Sequence, residues 1–495
     1  MNLERETKLQ VPPGFRLPDL AADGWTATVG EPERLVTIYF DTPDLHIARW
    51  GCSLRHRRGE GWTVKLPDRG DEDDGAFLAR REVVFEGAEA RRPPEAAVDL
   101  VRAYVRTAAL GTVARLHTRR ARVDVTDELG LPLAVVTDDE VSVMQGRRVA
   151  SRFREVEVEL VEGTPPEVLD SLVGRLRDDG GATVDNVSKL ARALGPAAIE
   201  APEVIVPEID RDATVAEVVR RAIAASVTRL LRHDPDVRLG EDPEAVHQAR
   251  VATRRLRSDL RTFRDVVEPS WAAPLRAELR WLGGELGAVR DAEVLRDRIA
   301  GRAEALEPRD RAGVDAFVTG LERRRAQARS HLLGELRTER YDALLDSLVE
   351  ASAAPRVHEE LAQTRASEAL RPALEALWKH LATAVGQAGT EGSDEALHAA
   401  RIRAKRMRYA AEAVVPASGK RAREFAEAVA DLQDVLGEHQ DSVIARAWLR
   451  ESASLGDPFV AGELAAVEAA AASDARASWP RVWKALSRKR LRFWA

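Results

Sequence analysis

Apolar residues alternate with polar residues, or fall in short β-branched groups, over roughly the first 160 positions of the chain. Turns rich in Gly, Pro and Asp separate these stretches, which predicts about eight antiparallel strands, enough to close a barrel. The predicted strands are the opening stretch from Glu4 and residues 35–41, 52–58, 62–66, 77–85, 121–125, 133–143 and 154–160. Helices are predicted at 94–109 and 165–178.

The pattern changes after residues 196–210, where three prolines and few periodic positions indicate a linker. From Ala213 onward apolar residues recur at intervals of three and four, which is typical of amphipathic helices in a bundle. We therefore expect an α+β N-terminal domain over residues 1–198, a linker over 199–211 and an all-α domain over 212–495.

The helical half contains an internal repeat. EAVHQARVATRRLR at 244–257 matches EALHAARIRAKRMR at 395–408, and ELGAVRDAEVL at 285–295 resembles VLGEHQDSVIA at 435–445. Asp242 and Ser393 are good N-caps at the same distance before the matching histidines. The repeat predicts two copies of one helical-bundle unit.

Side chains alternate between the two faces of a strand, so charged residues two positions apart lie on the same face. For any single strand, exposure of that face to solvent is enough to explain its charged residues. Taken together, acids on the first and last strands and bases on the middle strands favour a wide barrel with a polar lumen and an apolar outside. Such a lumen suits phosphoryl transfer, because bases neutralise phosphates while carboxylates hold a divalent cation. The charged residues that share a face are Glu4, Glu6 and Lys8; Arg55 and Arg57; Arg80 and Glu82; Arg120 and Arg122; and Glu155, Glu157 and Glu159.

The composition and charge of the chain limit the kinds of site that it can contain. The net charge is −7, so any anion site must come from local clustering of the 75 Lys and Arg residues. The single cysteine, Cys52, excludes an internal disulfide and a cysteine-rich metal site, so a metal would bind oxygen or imidazole. No P-loop pattern GxxxxGK[ST] is present. The absence of a long apolar run or signal peptide leads us to expect a cytoplasmic protein that does not span a membrane.

Each helical repeat carries a basic column, with bases at i, i+3, i+7 and i+10 on one face. Like charges in a column repel one another, and the expectation is that Glu partners are missing at i+4, so a polyanion site is favoured over a solvated face. The columns consist of His247, Arg250, Arg254 and Arg257 in the first copy and of His398, Arg401, Lys405 and Arg408 in the second.

Nine short motifs follow one another along the first 200 or so residues. They are ExExK at 4–8, YFDT at 39–42, LRxR at 54–57, WTVKLP at 62–67, RxE at 80–82, TxR at 118–120, DEV at 139–141, ExExE at 155–159 and SK at 188–189. In this order they resemble the CYTH family, the triphosphate tunnel metalloenzymes. Thr118 and Val84 depart from the family pattern at positions where a base and an acid are common.

The resemblance implies an eight-stranded antiparallel tunnel that binds triphosphate and hydrolyses it with Mg²⁺ or Mn²⁺. Carried over by position, it implies a catalytic role for Glu4, Glu6 and Lys8. The implied metal-side acids are Glu4, Glu6, Glu155, Glu157, Glu159 and Asp139. The implied phosphate-binding bases are Lys8, Arg55, Arg57, Lys65, Arg80, Arg120 and Lys189.

The second half resembles a CHAD domain, a conserved-histidine α-helical domain that often follows CYTH. This resemblance implies two related helical units around a basic surface that binds inorganic polyphosphate. It adds Arg255, Arg406 and His439 to the two basic columns, although Val289 stands opposite His439 in the first copy. The basic tail SRKRLR at 487–492 is interpreted as a solvated chain end.

The leading hypothesis is a metal-dependent inorganic triphosphatase that cleaves tripolyphosphate and binds polyphosphate through its second domain, which allows an association with polyphosphate granules. One alternative is a non-catalytic polyphosphate-binding scaffold. Others are a nucleoside or thiamine triphosphatase and an adenylate cyclase, activities also found among CYTH relatives. Nucleic acid is not the expected partner, because the basic columns lack interleaved aromatic residues for base stacking. The sequence leaves the oligomeric state open.

Overall fold

A computed structural model of the chain describes residues 2–12, 14–21, 24–67, 78–87, 91–178 and 180–494; for residues 2–5 and 78–79 only the backbone is described. The chain divides into two compact units, residues 1–203 and 204–495. Within the described residues, no helix is long and apolar enough to cross a membrane.

The N-terminal unit is an antiparallel sheet that closes on itself. Its order is β10-β1-β6-β5-β4-β3-β7-β8-β9, and β9 pairs back with β1, while β2 pairs with β7 off this path. Within the described residues the strands are β1 Asn2–Gln10, β2 Trp25–Val29, β3 Glu33–Asp41, β4 Ser53–Arg57, β5 Gly61–Pro67, β6 Leu78–Phe85, β7 Gly111–Asp127, β8 Pro132–Gln145, β9 Arg148–Leu160 and β10 Thr183–Val184.

The sheet contains ten described strands, where about eight were expected. The five-residue β2 and the two-residue β10 were not predicted, because each is too short to show a clear alternation. Helices α2 Glu95–Val105 and α3 Pro166–Asp178 lie where helices were predicted. Two further helices in this unit, α1 His46–Arg49 and α4 Lys189–Leu194, are shorter than the periodic pattern can reveal.

The apolar core of this unit lies outside the barrel. On β9, Val156 and Val158 are fully buried and point away from Glu155 and Glu157. They pack in one cluster with valines of β7 and β8 and with the α3 residues Leu172 and Leu176. The lumen is therefore left to the charged alternate positions, and burial beneath α3 stabilises the strands that carry them.

The C-terminal unit is helical. Helix α5 packs on α6, α6 on α7 and α7 on α8, and the same succession holds from α12 to α15. The grouping into two repeated bundle units stays a prediction. Within the described residues the helices are α5 Val215–Leu239, α6 Pro243–Thr262, α7 Pro269–Arg302, α8 Asp315–Glu335, α9 Glu339–Ala353, α10 Glu359–Ala362, α11 Ala366–Ala369, α12 Arg371–Glu391, α13 Asp394–Ser418, α14 Lys420–Glu451 and α15 Pro458–Leu486.

The two predicted N-caps are confirmed. The Asp242 carboxylate accepts a hydrogen bond from the backbone of Glu244 at 2.8 Å, and the Ser393 hydroxyl accepts one from Ala396 at 3.1 Å. These caps start α6 and α13 at corresponding positions and so bring the two basic columns into the same helical phase.

The interpretation of residues 487–492 as a solvated tail is wrong for Arg492. Its guanidinium lies over the Trp378 ring, 4.8 Å from the centroid. Trp494 is 8% exposed and packs edge-on against Phe425, with ring centroids 4.8 Å apart. Two aromatic residues after the basic run, Phe493 and Trp494, anchor the chain end because their burial outweighs the solvation of the neighbouring charges.

Replacing Leu172 by Ala should lower the unfolding free energy of the N-terminal unit by about 2–5 kcal/mol, because it leaves a cavity beneath the sheet. Leu172 is fully buried in the α3 cluster. Faster amide hydrogen exchange in β8 and β9 would report this loss. The exposed Asp170 on the same helix supplies the control, and Asp170→Ala should leave the exchange unchanged. Equal effects of both variants would contradict a core outside the barrel.

Candidate active site and anion-binding surface

A cavity of about 620 Å³ occupies the lumen of the barrel and is lined mainly by charged side chains. Most of these residues come from β1, β4, β5, β6, β7 and β9, where they occupy alternate positions as predicted, and Lys189 comes from α4. Many of the bases and acids expected at the site therefore come together. The charged lining includes Glu6, Lys8, Arg55, Arg57, Lys65, Arg80, Arg120, Glu157, Glu159 and Lys189.

The pairing of β1 with β9 places charged residues directly opposite one another. Glu6 faces Glu159, and Lys8 faces Glu157. Two carboxylates at directly opposed positions repel each other, so the Glu6–Glu159 pair favours a cation between them. On the other edge of β1, the backbone of Glu4 pairs with that of Arg80. The side chain of Glu4 lies outside the described residues.

The Lys8 ammonium is held by two acids. It is 3.2 Å from the Glu6 carboxylate and also forms an ion pair with Glu157. Burial opposes its positive charge, but Glu157 and Glu6 outweigh that effect and raise its pKa. The Lys8 side chain therefore stays positively charged at neutral pH.

Lys189 reaches the same acids from the short helix α4. Its position is set by Ser188, whose hydroxyl caps α4 by accepting a hydrogen bond from Ala191 at 3.1 Å. The ammonium lies 2.7 Å from both Glu155 and Glu157 and 3.0 Å from Asp139. Although burial opposes its charge, Glu157, Glu155 and Asp139 raise its pKa.

Glu155 and Asp139 are completely buried and contact bases, although both were expected on the metal side. Besides Lys189, Glu155 pairs with Arg192 at 3.1 Å, and Asp139 pairs with Arg120 at 2.7 Å. Burial opposes the charge of Asp139, but Lys189 and Arg120 lower its pKa. The structure thus shows both acids positioning bases, and their role as metal ligands stays a prediction.

Two acids that were not predicted at the site pair with bases that line the cavity. Glu82 on β6 lies 3.1 Å from Arg55 and 3.3 Å from Lys65. Glu60, in the turn after β4, lies 2.9 Å from Arg57 and lines the cavity. The RxE motif pointed to Glu82, whereas Glu60 comes from a turn without periodicity.

The carboxylates that face the cavity fit a hard divalent cation by their chemistry. Glu6, Glu157 and Glu159 line it and supply oxygen ligands, which Mg²⁺ and Mn²⁺ prefer. Burial raises the pKa of Glu159 despite nearby Lys65. Among the side chains that the structure describes, no three acidic, histidine or cysteine groups stand close enough together to hold a metal. The Lys8 ammonium lies beside two of these carboxylates, and the Glu4 side chain is not described.

In the helical unit, bases from α6, α7 and α13 line a cavity of about 230 Å³. No described carboxylate lies within 4 Å of the charged nitrogens of these bases. Four of them were predicted, whereas Arg261, Arg276 and Arg280 were missed, although Arg261 continues the first column by four residues. The seven bases are Arg254, Arg257, Arg261, Arg276, Arg280, Lys405 and Arg406.

The unbalanced positive charge in this cavity is reflected in the pKa values. Burial, Arg401 and Arg254 lower the pKa of Lys405 to about 8. Burial, Arg261 and Arg403 lower that of Arg406 to about 10. Both shifts mean that the protein by itself disfavours the full charge of the cluster.

The expectation that Glu partners are missing at i+4 is wrong for Arg408. The Glu412 carboxylate lies one turn later and pairs with Arg408 at 2.7 Å and with Arg255 at 2.5 Å. Arg250 and Arg401 also have acidic partners, Asp291 at 2.6 Å and Asp441 at 3.3 Å. The columns therefore divide into bases already neutralised and those that line the cavity.

The three predicted histidines have different surroundings. His247 is partly buried and His398 is exposed, each in the first turns of its helix. Burial lowers the pKa of His247 despite nearby Glu244. His439 is only 2% exposed, and its Nε2 atom lies 3.1 Å from Asp394 and 3.2 Å from Arg476. His439 thus links three helices of the bundle, and its role in polyphosphate binding stays a prediction.

Two family models match successive parts of the chain. The CYTH domain model matches residues 2–194, and the CHAD domain model matches residues 221–450. Uncharacterized proteins from two Mycobacterium tuberculosis strains, CDC 1551 and H37Rv, are 35% identical over 448 residues, which cover 85% of this chain and 82% of each relative.

Two solved structures also match. PptA from Streptomyces chartreusis aligns with a TM-score of 0.46 and 21% identity, covering 55% of this chain and all of that one. The CHAD domain from the plant Ricinus communis aligns with a TM-score of 0.46 and 25% identity, covering 57% of this chain and 95% of that one.

Replacing Asp139 by Asn should lower the unfolding free energy of the N-terminal unit by about 3 kcal/mol, because Arg120 and Lys189 lose a buried counter-charge. The lowered pKa of Asp139 sets the pH dependence. Its contribution is complete above the ordinary aspartate pKa near 3.9 and is lost as pH falls through the lower folded value. Chemical unfolding of wild type and variant between pH 7 and pH 3 measures both effects.

Asp124→Asn is the matched control on the neighbouring part of the sheet. Asp124 pairs with Arg122 at 2.7 Å, but their side chains are 46% and 48% exposed. That substitution should cost less than about 1 kcal/mol. Equal losses for the two variants, or a difference between them that does not decrease as the pH falls from 7 toward 3, would contradict the assigned role of Asp139.

Proposed function

The chain belongs to the family in which a CYTH domain precedes a CHAD domain, and we propose that its N-terminal unit is a divalent-metal-dependent inorganic triphosphatase. Members of the CYTH family act on triphosphates. The proposed reaction is hydrolysis of tripolyphosphate, in which water forms a bond to one phosphorus and the bridging P–O bond breaks, giving pyrophosphate and phosphate. The supporting observation is a cavity inside the closed sheet in which bases and acids line one lumen.

The bases of the cavity would bind and orient the phosphate chain. Arg55, Lys65 and Arg57 now pair with Glu82 and Glu60, and phosphate oxygens would compete for the same donors. Arg120 and Lys189 are fixed by buried carboxylates and present positive charge without rearranging. Such preorganised charge stabilises the negative oxygens of a phosphoryl transition state.

The acids would hold the divalent cation, and Glu4, Glu6, Glu157 and Glu159 are the residues proposed for this role. When bound, Mg²⁺ or Mn²⁺ would neutralise phosphate oxygens and activate the attacking water. Lys8 lies between the acidic and basic parts of the cavity, so its ammonium is placed to move from Glu6 and Glu157 toward a phosphate oxygen.

For the helical unit we propose binding of inorganic polyphosphate. The supporting observation is the cluster of seven bases without a carboxylate partner among the described residues. Clustered guanidinium groups suit phosphate oxygens, which they bind through two parallel hydrogen bonds. Among the described residues that line this cavity, only Tyr409 is aromatic, and the Arg254 guanidinium lies 5.6 Å from the centroid of its ring. A polyanion without bases to stack therefore fits better than nucleic acid.

Phosphate release from tripolyphosphate should require Mg²⁺ or Mn²⁺ and should fall about a hundredfold or more in Glu4→Gln with Glu6→Gln, because the cation loses two ligands. Arg120→Gln should weaken turnover as well. Its neighbour Arg119 is 61% exposed at the side chain, so Arg119→Gln serves as the control and should retain activity.

Three results would separate the alternatives. Tight polyphosphate binding without turnover, across several divalent metals, would favour a non-catalytic scaffold. Faster turnover of ATP or thiamine triphosphate than of tripolyphosphate would favour a nucleoside or thiamine triphosphatase, and release of cyclic AMP from ATP would favour a cyclase.

Polyphosphate binding should weaken as pH rises through about 8, because Lys405 loses its proton there and a polyanion favours the charged form. Lys405→Arg should abolish this dependence, since a guanidinium stays charged.

Arg276→Gln with Arg280→Gln should weaken polyphosphate binding and reduce its salt dependence. Calorimetric titration with long-chain polyphosphate measures these effects, and Arg309→Gln, at a side chain 82% exposed, is the control. Unchanged affinity in the double variant would exclude this cavity.

A further inference from the structure

The segment that follows α4, residues 196–203, forms part of the wall of the lumen cavity. Ala198, Ile199 and Glu200 line that cavity together with Arg49 of α1. Ile199 is 65% exposed and Glu200 is exposed as well, so this part of the lining lies at the mouth. We call residues 198–200 the collar.

The collar is fixed in place by bonds on its C-terminal side. Nε and Nη2 of Arg49 donate hydrogen bonds to the carbonyl oxygen of Ala201 at 2.8 and 2.5 Å. The Glu203 carboxylate accepts hydrogen bonds from Arg106 at 2.6 Å and from the indole of Trp50 at 3.2 Å. Three side chains, Arg49 and Trp50 at the end of α1 and Arg106 at the end of α2, thus hold Ala201 and Glu203 just after the collar.

The backbone conformation of Arg106 indicates that its contact with Glu203 is specific. Arg106 has a φ of 53°, which is uncommon for a residue with a side chain, yet it is only 8% exposed and is bonded to Glu203. Such a conformation persists where the surroundings over-determine it. Trp50 is in turn held by stacking on Tyr104, with ring centroids 5.3 Å apart.

The charge of the collar differs from that of the lumen behind it. The lumen is lined by seven bases of the proposed phosphate site, whereas the collar offers the apolar Ile199 and the acidic Glu200. No ion pair joins Glu200 to any residue that the structure describes, and the Arg49 guanidinium is engaged by Ala201. A phosphate that emerged past the basic lumen would therefore meet a carboxylate and an apolar side chain beside the single charge of Arg49, in place of the clustered bases of the lumen.

We propose that the collar limits the length of the phosphate chain that the cavity accepts, favouring three phosphates over four or more. This inference rests on the proposed triphosphatase function and assigns a specificity-determining role to Glu200. Glu203 and Arg106 are positioning residues, because they act through the collar and do not line the cavity. The occupant is a linear inorganic phosphate chain whose end lies inside the lumen.

The test is the ratio of kcat/KM for tetrapolyphosphate to that for tripolyphosphate, from initial rates with the full chain and Mg²⁺ or Mn²⁺. Substrate in large excess over protein keeps binding by the helical unit from depleting it. Glu200→Lys should raise this ratio about tenfold, because it replaces repulsion of the fourth phosphate by attraction. Glu203→Gln should raise the ratio through KM, with kcat for tripolyphosphate little changed, because it loosens the collar without altering the lumen.

Glu31→Lys controls for a change in the overall field of the domain, since Glu31 is exposed and does not line the cavity. It makes the same change in net charge and should leave the ratio unaltered. A ratio that moves equally in Glu31→Lys and Glu200→Lys, or in neither, overturns the collar while turnover of tripolyphosphate still supports the proposed function. Absence of phosphate release from either substrate overturns both proposals.

Discussion

The N-terminal unit depends on keeping many charges of both signs inside one closed sheet. A base removed from water is costly unless a carboxylate accompanies it, and a buried carboxylate needs a base in the same way. Lys189 illustrates the solution, because three acids from β8 and β9 surround its ammonium within 3.0 Å. The apolar core lies outside the barrel, between the sheet and α3, and this leaves the lumen to polar side chains.

This arrangement divides the charged residues of the cavity into two kinds. Asp139 and Glu155 are completely buried and hold bases in place, so the positions of Arg120 and Lys189 do not depend on a ligand. Glu60, whose side chain is 49% exposed, pairs with Arg57 where solvent reaches the pair. A phosphate chain displaces exposed partners at low cost, whereas the buried pairs supply the preorganised charge that transition-state stabilisation needs.

Much of this could be predicted because a strand has a period of exactly two residues. Once Glu155, Glu157 and Glu159 were assigned to one face, the direction of Val156 and Val158 followed, and the family model over 2–194 confirms the CYTH resemblance. Glu60, Arg192 and the collar were missed because a turn, a short helix and a single 3-10 turn are too short to show a period. Glu60 is placed locally by Arg57, whereas the collar is placed by α1, about 150 positions away in the sequence.

The helical unit differs, because the bases of its cavity have no acidic partner among the residues that the structure describes. The repeat shows which contacts make this possible. Arg250 and Arg401 pair with Asp291 and Asp441 on the following helices, and a glycine lies one turn before each aspartate. A Cβ would lie 3.4 Å from the Arg401 guanidinium at Gly437 and 3.9 Å from that of Arg250 at Gly287, so each glycine lies against the arginine of its column. The repeated aspartate thus fixes the corresponding arginine in each copy and neutralises it, which leaves the other bases of the columns to line the cavity.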